Sequence, residues 1–253
     1  MVLQSLRIED LSWTRIREAL DAGYSTIIIP IGSIEQHGPH LPIASDAILG
    51  EELGSRVAKL LGNALVAPCV RPGCSPYNMD FAGTIDLKPE TLSAIVFDYV
   101  DSFVAHGFRN VVLLPTHGGN FGVVGEILPK LRFKHPKTRI LAFTDLQAFV
   151  KTMNDPAIRR GISLDRLGSH AGVGETAGLL AMRRDLVHMS EALPGFIGDA
   201  EIARDIMQRQ GMKAVSKIGV MGDPRSATTE MGNEFLEKLS VEIVDWIRND
   251  LRP

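Results

Sequence analysis

The sequence has little of what marks a stapled, membrane-bound or nucleic-acid-binding protein. Of its 253 residues only two are cysteines, Cys69 and Cys74, and they form no CxxC pair. That excludes a disulfide scaffold and a Cys-rich zinc module, and two free thiols are expected. Charge of one sign is not in excess: 27 Lys and Arg face 30 Asp and Glu, a formal net charge of -3. Aromatics are only 6% of the chain, and no basic stretch interleaves with them. No nucleic-acid partner is therefore expected. The opening MVLQSLRIEDLSW lacks a basic segment followed by an apolar run. The longest apolar stretches, Thr26–Ile31 and residues 111–115, fall far short of the ~20 residues of a membrane helix. The expected setting is cytoplasmic, without a membrane. No Pro/Ser/Gly-rich linker and no repeat divides the chain, so residues 1–253 are expected to form one domain.

What is present is an alternation of two patterns. Residues 26–31 (TIIIPI), 64–70 (ALVAPCV), 110–114 (NVVLL) and 139–143 (RILAF) are short, β-branched apolar runs, as buried parallel strands should be. Between them lie stretches with helical spacing. Ser45–Leu61 places Ile48, Leu49, Leu53, Val57, Leu60 and Leu61 on one face. Residues 88–106 carry Pro89 in the first turn, residues 120–135 follow the third strand, and residues 228–251 form the last long helix. This predicts an α/β fold with a mainly parallel sheet flanked by helices on both faces. Residues 185–222 have weak periodicity and are expected at the rim of a site.

Ligands of open α/β sheets bind beyond the carboxyl ends of the strands. Polar clusters fall in those positions here. After the first strand come Glu35-Gln36-His37 and, at a helix start, Asp46. After the third comes His117-Gly118-Gly119-Asn120. A third cluster, Ser169-His170-Ala171-Gly172 with Glu175-Thr176, precedes another helical run. Four of the seven histidines lie in these loops. His, Asp and Glu together suit divalent ions such as zinc or manganese. Glu35 and His37, two apart on an extended segment, point the same way and can reach one metal centre. Asp46 has two oxygens and can bridge two ions, a pair that would generate hydroxide near neutral pH and polarise a carbonyl. The glycines beside His117 let backbone approach closely. Taken singly each cluster has a plain reading: Asp46 and Glu175 as helix-start acids, His117 as a turn histidine. Their conjunction at strand ends is what points to metal.

Residues 30–38 (PIGSIEQHG) followed by Asp46 resemble the opening motif of the creatininase (creatinine amidohydrolase) family. His117-Gly118-Gly119-Asn120, His170-Ala171-Gly172 with Glu175-Thr176, Phe81-Ala82-Gly83-Thr84 and Gly222-Asp223-Pro224 resemble its later motifs, in the family's order. The resemblance implies a creatininase-like fold and a hydrolase that cleaves a cyclic or formamide-like C–N bond through a metal-bound hydroxide. It implies a binuclear site, with Asp46 bridging, Glu35 and His117 on one ion and His37 on the other. Zn2+ is the foremost expectation, with Mn2+ and Fe2+ as others. It also implies a small-molecule substrate and a homo-oligomer, a hexamer among the options. Where creatininase has a metal-binding glutamate two residues after the second-motif histidine, this chain has Gly119, and Glu175 is the natural replacement. The positions aligned with creatininase's lid tryptophans are Gln147 and Arg166. Tyr77 and Asn78 replace a Glu-His pair of many relatives. These four are the expected substrate-reading residues, and creatinine is not the expected substrate.

His170 or Glu175 is expected to pass a proton to the leaving nitrogen, although His170 has a structural alternative as a donor to backbone. His40 is either a partner that orients a ligand or a loop residue. Arg225 and Thr229 are expected to meet substrate or a neighbouring subunit. Two other functions compete: hydrolysis of a ketone or sugar-derived ring at a C–C or C–O bond, and a non-catalytic metal-holding scaffold. The intact ligand set argues against the scaffold.

Overall fold

Residues 3–251 are described by a computed structural model. The strands are β1 (Thr26–Ile31), β2 (Ala64–Val66), β3 (Asn110–Pro115) and β4 (Arg139–Ala142). All pair in parallel, in the order β2-β1-β3-β4. The helices are α1 (Trp13–Asp21), α2 (Ser45–Leu61), α3 (Pro89–His106), α4 (Gly118–Lys134) and α5 (Leu146–Ile158). They continue as α6 (Leu164–Leu167), α7 (Val173–Arg183), α8 (Ala200–Gln210), α9 (Met212–Val215) and α10 (Thr229–Asp250).

Period-two alternation along β1 sorts the core into two layers. Ile27, Ile29 and Ile31 face α3 and α4, packing with Leu92, Val96, Val100, Val124 and Leu131. Ile28 faces the other way, toward Leu53 and Val57 of α2 and Phe235, Leu239 and Ile243 of α10. The β1-α2-β2 crossover lies on one face, while β2-α3-β3 and β3-α4-β4 lie on the other. That is what right-handed crossovers require when strand order reverses. The reversal falls between β1 and β3, and a crevice opens there beyond their carboxyl ends.

The expected strand over 64–70 is shorter than its pattern. Pro68 has no N–H to give to the ladder, and Val70 rejoins only through an isolated bridge to Ile31. The helix expected from residue 120 begins at Gly118, with His117 as its N-cap. Two glycines hid that start, because glycine is a poor helix former. Cys69 and Cys74 are both free thiols, as expected. Among the described residues no helix is long and apolar enough to cross a membrane.

Candidate metal centre

Three helix starts converge on the crevice. Asp46 lies in the first turn of α2, His117 caps α4, and Glu175 lies in the first turn of α7. Ionised carboxylates are favoured at such ends. Glu35 and His37 come from the loop after β1. The Asp46 carboxylate stands in the middle. Its Oδ2 is 3.1 Å from His117 Nδ1, and its Oδ1 is 3.5 Å from His37 Nε2. His117 Nδ1 is also 3.3 Å from Glu35 Oε1, and His37 Nε2 is 3.7 Å from Glu175 Oε2. Two potential ligand sets result, Glu35-Asp46-His117 and His37-Asp46-Glu175, each with its donor atoms within 4.8 Å of one another. They share Asp46, so the five residues expected as ligands are all brought together.

A third group, Glu35-His37-His170, has the same spacing, with His170 Nδ1 3.6 Å from Glu35 Oε1. The ring of His170 lies 4.5 Å from that of His37.

The histidines are oriented from behind. The Nδ1–H of His37 donates to the Glu35 carbonyl at 3.1 Å, and the Nε2–H of His117 to the Cys74 carbonyl at 2.9 Å. The Nε2–H of His170 donates to the Gln36 carbonyl at 2.7 Å. In each ring the remaining nitrogen faces the carboxylates, and once deprotonated it would offer a metal its lone pair. His37 Nε2 and Asp46 Oδ2 are buried and have no hydrogen-bond partner. Such orphans are costly in a protein interior. One cation in each ligand set would satisfy both, so the donor set fits a metal pair.

Electrostatics tell the same story. Burial would raise the Glu35 carboxyl, but the neighbouring His117 and His170 hold it down to about 2. Burial opposes ionisation of Asp46 too, and His37 and His117 keep it well below the usual carboxylate range. Burial would lower His37, yet Asp46, Glu175 and Glu35 outweigh it and push the imidazole up to about 10. His117 is likewise raised well above its ordinary value by Glu35 and Asp46 against its burial. In the metal-free chain both imidazoles therefore carry protons at neutral pH, and a metal must displace them. Loading is expected to release about two protons per chain, one from each ring. The apparent affinity for the ion on His37 should rise about tenfold per pH unit from pH 7 toward 10, and that for the ion on His117 should also rise with pH above neutrality. Calorimetry of metal binding in buffers of different ionisation enthalpy measures this directly. Binding without proton release would contradict it.

Gly119 cannot hold a carboxylate here. A Cβ built on it would lie 2.2 Å from the Cys74 carbonyl oxygen and 2.7 Å from His117 Nε2. Gly119→Ala is expected to destabilise the fold by ~1–3 kcal/mol through overpacking and to loosen His117, read as a lower unfolding midpoint and weaker metal binding. An unchanged midpoint would mean that the loop yields freely.

The expected substrate-reading residues separate. Asn78 is buried behind the site: its Nδ2 donates to Glu35 Oε2 at 2.8 Å, and its Oδ1 accepts from Gln36 Nε2 at 2.8 Å. It orients Glu35. Tyr77, next to it, is half-exposed. Gln147, at the start of α5, is exposed. Arg166 pairs with Asp223, which Arg225 also grips with two bonds of 2.8 Å, beside a cavity of about 530 Å³. Among the described residues, no hydrogen bond or ion pair joins Gln147 or Arg166 to the carboxylate cluster. Thr229 Oγ1 accepts from Arg184 at 3.4 Å. Of residues 185–222, expected at the rim, Gly219 and Met221 border the site: Gly219 O accepts from Gln36 Nε2 at 3.1 Å and Met221 pairs with His170.

Sequence reasoning passed over several supports. Gln36 alternates away from Glu35 and His37 and ties the loop to the opposite wall. Asn120 staples two loops, giving Nδ2–H to Gly32 O at 2.8 Å and accepting from Cys74 N–H at 3.0 Å. Ala171 has φ 51°, and its N–H donates to Glu175 Oε2. A non-glycine residue in that region is strained and is commonly found at functional sites. The signal for Gln36 and Asn120 was their place inside the motifs; for Ala171 there was none.

The sequence matches the creatininase family profile, described as creatinine amidohydrolase, over residues 9–247. It is 29% identical to the mycofactocin precursor peptide peptidase of Mycobacterium ulcerans (strain Agy99), covering 92% of this chain and 89% of that one. It is 28% identical to the creatinine amidohydrolase of Pseudomonas putida, covering 99% of both. A solved structure described as "Creatininase Mn" superposes with a TM-score of 0.80 at 25% identity, covering 99% of this chain and 100% of that one.

Proposed function

Because the chain belongs to the creatininase family, we propose that it hydrolyses an amide C–N bond of a small molecule at a two-metal centre held by Glu35, His37, Asp46, His117 and Glu175. The observation that carries this is the pair of ligand sets sharing Asp46. Zn2+ is the foremost ion, with Mn2+ or Fe2+ as others; similar solved structures are described as Mn and as Zn-Zn forms. Two such ions would supply a water acidified to near-neutral pKa and a Lewis acid for the carbonyl oxygen.

The chain's own groups do the rest. Glu35, Asp46 and Glu175 are three carboxylates facing neutral imidazoles, which balances most of the charge of two dications. His170, fixed through its Nε2–H, turns Nδ1 to the centre and is the group to take the proton from water. Water adds to the carbonyl carbon, the C–N bond breaks, and His170 hands that proton to the leaving nitrogen. The relatives' names, a peptide peptidase and a creatinine amidohydrolase, share acyl C–N cleavage. A second reading, hydrolysis of a sugar-derived ring, is favoured by 32% identity over 114 residues to the 3-dehydro-scyllo-inosose hydrolase of Thermotoga maritima, a match covering 36% of that protein. A homo-oligomer, testable by light scattering, belongs to the same proposal. Its support is the exposure of Phe133, Trp13 and Leu164.

The test is metal analysis with a panel of cyclic amides, formamides, short peptides and inosose-type rings. Two ions per chain and turnover of a C–N substrate, abolished by chelation, are expected. Turnover of a ring ketone alone would overturn the amide reading. Creatinine should be a poor substrate, because Gln147 and Arg166 offer no aromatic lid. A kcat on it near the ~10 s⁻¹ of ordinary enzymes would show that lid to be dispensable.

A further inference from the structure

His37 and Glu175 come from different parts of the chain, yet they must meet across Asp46. His37 rides on the loop after β1, and Glu175 on the first turn of α7. Their 3.7 Å approach therefore depends on how that loop sits against that helix. Apolar packing brings the two together: Leu41 of the loop lies in one cluster with Ala171, Leu179 and Val220. Such packing is non-directional and tolerates small slides. The His170–Gln36 bond ties the loop to the segment before α7, and one side-chain hydrogen bond to the helix itself supplies direction. His40, three residues after His37, has its Nε2 2.9 Å from the Thr176 hydroxyl, and Thr176 follows Glu175 directly. Both residues have 0% exposure, so no water competes for the bond. The backbone of His40 is itself anchored, its carbonyl accepting from His188 N–H at 2.9 Å. Nothing in this contact touches Glu35 or His117, whose set is braced separately by Asn78.

We infer that His40 and Thr176 form a positioning pair that sets the His37–Glu175 separation, and so tunes the affinity of one metal ion of the pair without the other. The inference rests on the metal centre proposed above. Neither side chain hydrogen-bonds to a ligand atom among the described residues, so the effect argued here reaches the metal through the registration of loop and helix. Partners that orient ligands in this way commonly change metal affinity by about 10- to 100-fold.

The test titrates the metal-free full chain with Zn2+ against a competing chromophoric chelator and reads unfolding midpoints alongside. In His40→Ala and Thr176→Val one binding step should weaken by about 10- to 100-fold while the other is unchanged. Thr176→Ser, which keeps the hydroxyl, should bind as the parent does. Asn78→Ala should weaken the opposite step. In a Glu175→Gln background, His40→Ala should cause no additional loss, because both act on one ion. Thr176→Val is nearly isosteric and carries the test if His40→Ala fails to fold. Equal weakening of both ions, no weakening, or full additivity with Glu175→Gln would overturn the inference. A parent chain that binds fewer than two ions would instead overturn the metal centre itself, and this inference with it.

Discussion

Asp46→Ala is expected to remove both metals in effect and to cut turnover by about 10³-fold or more, some 4 kcal/mol at 1.36 kcal/mol per tenfold. Among the described residues no other belongs to both the Glu35-His117 and the His37-Glu175 sets. Each ion would be left with two of its protein donors, too few for tight binding of zinc. The loss also shows without metal. His37 is held protonated up to about 10 against its burial, with Asp46 as its strongest partner. With Asp46 gone, only Glu175 and Glu35 oppose burial, and the His37 pKa falls. NMR titration of the imidazole reads this shift in the metal-free variant. Metal analysis after dialysis should give at most one weakly held ion per chain. Retention of two ions would sink the bridging role.

Glu175→Gln is expected to have the second-largest effect, loss of about one ion per chain and nearly all activity. The amide keeps the shape of the side chain and removes the charge. It therefore separates two roles that both geometry and sequence allow. A ligand carboxylate must be ionised to hold a dication, so the variant should lose the ion shared with His37. If both ions stay and turnover vanishes, Glu175 moves the proton and His170 does not. If both stay with full turnover, Glu175 is only a helix-start acid whose carboxylate secures the Ala171 N–H. Metal content and single-turnover kinetics on the same preparation decide among the three. Glu175 is partly exposed, its side chain 18% accessible against 6% for Asp46, so its removal should disturb the core less.

Much of the candidate centre was legible from sequence because its candidate ligands sit at positions that local rules mark. Asp46 and Glu175 occupy helix starts, and Glu35, His37 and His117 follow apolar runs that could only be buried strands. The ligand set was expected, and the structure gathers it. Asn78 was harder. It stands in a polar loop beside half-exposed Tyr77, and its spacing resembles a substrate-facing pair, yet its side chain turns inward to Glu35. Direction of a loop side chain is not encoded in local spacing, because it depends on what the fold packs against it. For Gln147 and Arg166, expected where creatininase has its lid, the structure shows only that Gln147 is exposed and that Arg166 pairs with Asp223.

The sequence alone determined the α/β class, the four strands, the long helices and the identity of the candidate ligands. Those follow from periodicity and from residue chemistry, which act over a few neighbouring positions. The tertiary structure decided how the ligands divide. Strand order reverses between β1 and β3, which sets their loops side by side and brings the starts of α2, α4 and α7 to one crevice. Only then does Asp46 fall between two histidines that lie 80 residues apart in the chain (His37 and His117). Only then, too, does Glu175 stand where Gly119, pressed against the Cys74 carbonyl, cannot. Such contacts join residues far apart in the chain, and no local pattern records them.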